Sequence, residues 1–377
     1  MKPLFLYGTL RHAPLLAMVS GDEGLPVTPA TLEGYATLHA LGPDGAEQNF
    51  PLITQRPGAR AQGMVIRPNA AARARLDSYE RAFGYDTHPV TVQTAEGLVV
   101  TDVYLPQAGL WQGGREWSLS DWARSHGPLI VETAAEVMAL LPHTPPDAVM
   151  TRYRMLQMRV ASRARARADA APATLRRRPQ PGDIVIDDHT TPYARFFGVE
   201  EADLRFRRFN GAMSEQVRRA AFVMSDAVTV LPYDPKRDCV MVVEQFRFGP
   251  LARGDLNPWS LEPIAGRIDT GETPEQAVRR ETLEEAGLEL GDLLPLGGYY
   301  PSPGAVSEYL YSFIGLARLT AEEEGVNGLE SEAEDIRAHV ISFARLMELV
   351  DSGEVRNAPL LLSAHWLARH RDGLRKG

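Results

Sequence analysis

The stretch Gly266–Leu288, GRIDTGETPEQAVRRETLEEAGL, decides the reading of this chain. Its spacing is G-x5-E-x7-R-E-x-x-E-E-x-G-L, with five glutamates gathered around one short predicted helix. Thr273 predicts an N-cap, Pro274 the first helical position, and Gln276 the return half of a capping box. Gly287 predicts the C-cap. Glu281 stands three residues before Glu284 and four before Glu285, so all three crowd one helix face. Like charges at that spacing repel, and a hard cation relieves the conflict. Magnesium accepts a few carboxylates together with waters and phosphate oxygens. Arg280, four residues before Glu284, can hold that carboxylate in place. Gly266 and Gly271 bracket the preceding loop, where the backbone must bend tightly or approach a ligand. An isolated E-x-x-E-E is usually a solvated face. The glycine, glutamate and arginine at fixed offsets set this one apart.

A chain of 377 residues is long for one hydrophobic core, so two domains are expected. The net charge of -9 argues against a general nucleic-acid or anionic-membrane binder. The single cysteine, Cys239, excludes an internal disulfide and a cysteine zinc cluster, and its apolar run DCVMVVEQF reads as core. MKPLFLYGTLR holds too short an apolar stretch for a signal peptide, and no apolar run approaches a membrane span. A cytoplasmic location is expected.

Three segments follow. Residues 1–110 alternate short strand-like runs with Gly/Pro turns and few helical patterns, which predicts a small mixed, barrel-like fold. Residues 111–181 turn helical from about Trp117 and end in an arginine-rich linker closed by RPQPGD. Its Arg–Ala alternation reads as a solvated helix rather than a nucleic-acid arm. Residues 182–377 return to strands, with a hairpin predicted at Asp234-Pro235, then the glutamate-rich helix and two C-terminal helices.

From about Asp183 onward the chain resembles bacterial ADP-ribose pyrophosphatases of the Nudix family, in the group that includes tellurite-resistance proteins. Beyond the signature, RFFGVEEADLRFRRFNGAMSEQVRR, LPYDPKRDCVMVVEQFRFG, YPSPGAVSE and EAEDIRAHVIS match. Pro303 lies 15 residues beyond Leu288, where members that cleave ADP-ribose carry proline. Thr282 departs from the usual aliphatic residue, and Met224 from an arginine. The resemblance implies an α/β/α sandwich around a mixed sheet, with a small antiparallel sheet that helps build a homodimer. It implies metal ligands at Glu281, Glu285, Glu334 and the Ala265 carbonyl, with Glu284 nearby, and a general base at Glu332. The implied metal is Mg2+, with Mn2+ as the alternative. Implied substrate contacts are Phe196, Phe197, Arg219, Arg247, Ser302, Pro303, Gly304 and Glu308. The implied reaction is hydrolysis of ADP-ribose to AMP and ribose 5-phosphate. Another nucleoside diphosphate sugar as substrate, or a non-catalytic ADP-ribose-binding regulator, are the rival readings.

FLYGTL at Phe5–Leu10 and LDSYE at Leu76–Glu80 resemble the γ-glutamylcyclotransferase family, the AIG2-like group. NFPLI, AQGMVIRP and TDVYLP follow in the family's order. The resemblance implies that backbone N–H groups of Tyr7, Gly8, Thr9 and Leu10 meet a γ-glutamyl compound and that Glu80 shuttles the proton. The reaction is intramolecular, an α-amine attacking its own γ-carbonyl to release an amine and 5-oxoproline. Glu80 must then be buried enough for its pKa to rise toward neutrality. Relatives often carry arginine two residues after the following tyrosine; here Tyr85 is followed by Asp86 and Thr87.

Overall fold

A computed structural model describes residues 2–43, 45–169, 171–195, 197–320, 325–327 and 335–376. Two compact units divide the chain, Met1–Val160 and Ala161–Gly377.

The first unit runs β1 (Leu4–Leu6), α1 (Ala13–Ser20), β2 (Val27–Leu41), β3 (Glu47–Ile66), α2 (Ala70–Ala82), β4 (Tyr85–Thr94), β5 (Gly97–Pro106) and β6 (Gln112–Glu116). Helices α3 (Leu119–Ser125), α4 (Gly127–Leu140) and α5 (Pro146–Met150) follow, and α6 (Tyr153–Ala168) starts in this unit and runs past its boundary at Val160. The strands lie in the order β3-β1-β5-β4-β2-β6, and β2 also pairs with β3, which closes five of them into a barrel. Side chains alternate across this wall with period two. Phe5, Ala30, Leu32, Val65 and Val103 fill the inside, whereas Leu4 and Leu6 pack outward under the helices. Gly63 is required here, because a Cβ would lie 2.4 Å from the Leu6 carbonyl oxygen. The β2–β3 pairing jumps from Tyr35↔Gln55 to Glu33↔Arg60, so residues 56–59 loop out opposite Gly34. Gly34 and Gly58 both adopt a φ of 79° at this bulge.

Two helices, α1 and α2, interrupt a region expected to contain few. The α1 run APLLAMVS is apolar around its circumference and short, so periodicity does not separate helix from strand. The unit also extends past residue 110: Trp122, Ile130, Ala134, Val137 and Val149 from α3–α5 complete its core.

The second unit begins with a three-stranded antiparallel sheet, β7 (Ile184–Ala194), β8 (Gly198–Phe206) and β9 (Val217–Val223). Then come β10 (Ala227–Asp234), β11 (Cys239–Phe246), α7 (Phe248–Arg253), β12 (Trp259–Glu262), β13 (Ile264–Arg267) and α8 (Pro274–Ala286). The remainder is β14 (Leu293–Tyr299), β15 (Leu310–Leu316), β16 (Gly325–Asn327), β17 (Ile336–Ser342), α9 (Phe343–Ser352) and α10 (Ala358–Leu374). The central sheet runs β14-β15-β10-β11-β17-β16, with β12 on β11 and β13 on β10. Only β10–β15 is parallel among the pairs that β10 makes, so the sheet is mixed.

Alternation along β10 and β11 builds the layers. Val228, Val230, Met241 and Val243 face α8, and Leu231, Tyr233, Val240 and Val242 face α9 and α10. The result is an α/β/α sandwich. The hairpin at Asp234-Pro235 forms, but β10 and β11 pair only at Tyr233↔Val240 and Asp234↔Cys239. Beyond that they part, and β13 and β12 take over their edges. Cys239 is buried in the α8-side core. The arginines flanking RPQPGD are tied into this unit: Arg163 to Glu200 at 2.6 Å, Arg165 to Asp226 at 2.7 Å and Arg177 to Asp183 at 2.9 Å. No described helix is long and apolar enough to cross a membrane.

Candidate functional site

In the second unit the site is organised by α8. Thr273 accepts from the Gln276 N–H and Gln276 accepts from the Thr273 N–H, which completes the capping box. Gly287 closes the helix in the left-handed conformation at φ 60°. Thr282 is fully buried, and its hydroxyl donates to the Val278 carbonyl at 2.7 Å. That back-bond satisfies the hydroxyl, so threonine packs where an aliphatic residue is usual.

The three helix carboxylates occupy distinct settings. Glu285 is only 3% exposed and accepts from the Ala265 N–H at 3.4 Å. Glu281 lies against the bare Cα of Gly266: a Cβ there would sit 1.9 Å from its carboxyl carbon. Glu284 is more open and accepts from Arg280 at 3.1 Å. Arg280 also donates to Glu281 at 2.7 Å, to both oxygens of Glu272 and to the Arg267 carbonyl. Glu272 in turn accepts from the Asp269 N–H at 3.0 Å. Hydrogen bonds to Glu272 are the first reason that the Arg280 guanidinium is held above its usual pKa. One arginine therefore fastens the loop before α8 to the helix and offsets the repulsion on its acidic face.

The residues present suit a hard divalent cation. Their donors are carboxylate oxygens and the Ala265 carbonyl, and the glycine cradle lets one carboxylate approach the backbone of β13 closely. Among the described residues, no group of three or more His, Cys, Asp or Glu is gathered closely enough to hold an ion. Glu332, Glu334 and Phe196, implied as base, ligand and substrate contact, lie outside the described residues.

Around this helix the other implied residues fall in two places. Arg247 grips the buried carboxylate of Glu262 with Nε and Nη2, the latter at 2.8 Å. Burial pushes the Glu308 carboxyl up, while Arg267 and Arg247 pull it down. Ser302, Pro303 and Gly304 form an exposed turn, in which the Ser302 carbonyl accepts from Ala305 and Val306. That turn is stitched to β9 through Phe222 and Ala305. Arg219 lies on β9, and its Nη1 donates to the Arg218 carbonyl at 2.9 Å. Phe197 stacks edge-on with Phe222 at 5.1 Å and leans on Tyr193. The Met224 N–H donates to the Ser307 hydroxyl at 3.0 Å. Sequence reasoning did not single out Glu262 or Arg267. Their only signal was charge beside the glycine-rich strand, and the partners that give them meaning are distant in sequence.

In the first unit, Glu80 stands in the last turn of α2 and lines a cavity of about 50 Å³. Tyr7, Gly8, Thr9 and Leu10 line the same cavity. The first N–H groups of the short helical turn Thr9–Arg11 have no partners within that turn. Gly8 admits Pro51 closely, since a Cβ would lie 3.1 Å from the proline ring. Tyr79, Tyr85, Tyr104 and Tyr153 complete a wall of phenols. Tyr85 donates to the Pro51 carbonyl at 3.2 Å and Tyr104 to Asp77 at 2.7 Å. Glu80 keeps some accessible surface, as a cavity-lining side chain does, yet its carboxyl is enclosed by protein. Burial first, then the neighbouring Asp77, pushes its pKa up to about 8.

This has a consequence for stability. Between the ordinary value near 4.5 and about 8, the folded carboxyl keeps a proton that the unfolded chain has lost. Stability of this unit is therefore expected to fall as pH rises through that window and to level off above it. Glu80→Gln is expected to flatten the slope. Urea unfolding followed at a series of pH values checks this, and an unchanged slope in the variant would refute it.

The comparisons with known proteins agree with this division. Residues 224–362 match the family model for the NUDIX domain. Residues 4–124 match that for "Gamma-glutamyl cyclotransferase, AIG2-like". The chain is 38% identical over 193 residues to the ADP-ribose pyrophosphatase of Escherichia coli (strain K12), covering 51% of this chain and 91% of that protein. It is 30% identical over 172 residues to the GDP-mannose pyrophosphatase of Salmonella arizonae, covering 46% of this chain and 88% of that protein. A solved structure described as an ADP compounds hydrolase aligns with a TM-score of 0.39 at 24% identity, covering 51% of this chain and 98% of that one.

Proposed function

Because the chain belongs to the Nudix family, with an AIG2-like γ-glutamyl cyclotransferase domain ahead of its Nudix domain, we propose that it hydrolyses ADP-ribose to AMP and ribose 5-phosphate with magnesium. The observation that carries this reading is the Glu281 carboxyl lodged against Gly266, beside the buried Glu285. Bound there, a divalent ion would draw charge from the phosphoryl oxygens as the diphosphate breaks. Glu281, Glu285, Glu334 and the Ala265 carbonyl would hold it, with Glu284 at its edge. Arg280 keeps the acidic face aligned. Arg247 and Arg267, beside Glu308, offer positive charge to a diphosphate. Glu332 takes the proton of the attacking water in this scheme. The exposed Ile184, Ile186 and Phe222 of the three-stranded sheet support a homodimer through this unit.

The test compares AMP release from ADP-ribose with GMP release from GDP-mannose, before and after chelation. ADP-ribose is expected to be cut with the higher kcat/KM. Chelation should stop release and added magnesium, or manganese, restore it. A preference for GDP-mannose would reassign the substrate, and no cleavage of either would sink the hydrolase reading.

The protonated Glu80 in its phenol-lined cavity favours a second activity, γ-glutamyl cyclotransfer in the first unit. The backbone N–H groups at Gly8–Leu10 would receive the γ-carbonyl oxygen, and Glu80 would move the proton from amine to leaving group. Release of 5-oxoproline from a γ-glutamyl amine is expected to rise with pH through about 8, as Glu80 ionises. A flat profile, or full activity in Glu80→Gln, would refute that role.

A further inference from the structure

The bulge between β2 and β3 builds a second concavity in the first unit, apart from the Glu80 cavity. It is a cleft of about 550 Å³, within the range of small-molecule sites. Arg11, Arg56, Arg60, Gln62, Glu116 and Trp117 line it. Three arginines and one glutamate thus line it.

The charges are not equally free. Arg60 pairs with Glu33 at 3.1 Å, and Arg56 makes only a long contact with Glu116 at 3.8 Å. Arg11 has no hydrogen-bond or ion-pair partner for its guanidinium among the described residues, although it is half-buried. Burial draws its pKa below the ordinary arginine value. Half-burying an unpaired cation costs free energy, which a bound anion would recover.

We propose that this cleft is a binding site for a small organic anion, whose carboxylate or phosphate group is held by Arg11 with Arg56 and Arg60 at the rim. The looped-out residues 56–59 exist to carry that rim: Gly34 and Gly58, both at φ 79°, let β3 leave the barrel wall and return within one register jump. The two concavities share no lining residue, so the ligand need not reach Glu80.

The experiment is calorimetric titration of the full chain at low ionic strength with inorganic phosphate and, separately, with glutamate. Wild type is expected to bind one of the two saturably. Arg11→Gln should weaken that binding about tenfold or more, the usual effect of losing a charge-assisted hydrogen bond. Arg11→Lys should recover part of it. Binding of phosphate alone identifies a phosphate ester as the ligand class, and binding of glutamate alone a carboxylate. No saturable binding of either, or isotherms unchanged by Arg11→Gln, would overturn the proposal. Arg247→Gln serves as the control for phosphate bound at the α8 site and should leave the Arg11-dependent component intact.

Discussion

Replacing Glu285 by glutamine is expected to lower AMP release from ADP-ribose by roughly a thousandfold while the protein stays folded. The side chain is 3% exposed and accepts from the Ala265 N–H. Glutamine keeps an oxygen for that bond, so packing and polarity at the position survive. What it removes is one negative charge from the proposed metal set. A bound metal contributes several kcal/mol to a phosphoryl transition state, and each ~1.36 kcal/mol is a factor of ten in rate. Losing most of it amounts to about three decades. The measurement is AMP release at saturating magnesium, paired with a thermal melt. Activity within tenfold of wild type, with the melt unchanged, would remove Glu285 from the metal set.

Gly266→Ala is expected to separate function from stability. The new methyl would fall 1.9 Å from the Glu281 carboxyl carbon. The backbone there is not in the left-handed region, so alanine brings no torsional strain of its own. Glu281 can rotate its carboxyl away, which keeps the folding cost within about 1 kcal/mol. It cannot keep the carboxyl where it now lies, 2.7 Å from Arg280. The magnesium concentration needed for half-maximal rate should rise about 10–100-fold, the scale seen when groups that orient metal ligands are lost. A variant with wild-type metal dependence would show that the Gly266 cradle is only a packing convenience.

The parts of this site that could be read from residues alone are those set by local chemistry. Thr273, Pro274, Gln276 and Gly287 form their caps from neighbours within four positions, and a capping box leaves little choice of partner. The near-continuous apolar runs in AVTVLPYD and DCVMVVEQF likewise mark two strands buried on both faces. Nothing local reveals that Arg247 closes on Glu262, because that pair exists only once β12 lies beside β11. Nor does the sequence indicate that Arg280 reaches Glu272 across the loop as well as Glu284 along the helix. In the first unit FLYGTL and LDSYE flagged Glu80, but the phenols around it come from five separate segments. The helices beyond residue 110 read as a segment apart from the first domain because their apolar stripes have no sequence neighbour to pack on. In the fold, Ile130, Ala134 and Val137 finish the core above β1.

The pairing of β10 with β15 has a kinetic side. Those strands run parallel over seven residues, and the buried contact between Thr229 and Ser312 joins positions 83 apart in the chain. Everything that makes up the acidic helix and its glycine cradle lies inside the loop which that contact closes. Loop closure on this scale must precede the gains it permits, and topologies dominated by such distant pairings fold slowly. The carboxylates of α8 therefore acquire their platform late, after the middle of the sheet has found its register. A chain caught before that step exposes two long apolar strands, β10 and β11, with no partners on their inner edges. That is the state in which this protein is most open to aggregation, and a cation held by the finished platform guards against it only by mass action on the folded chain.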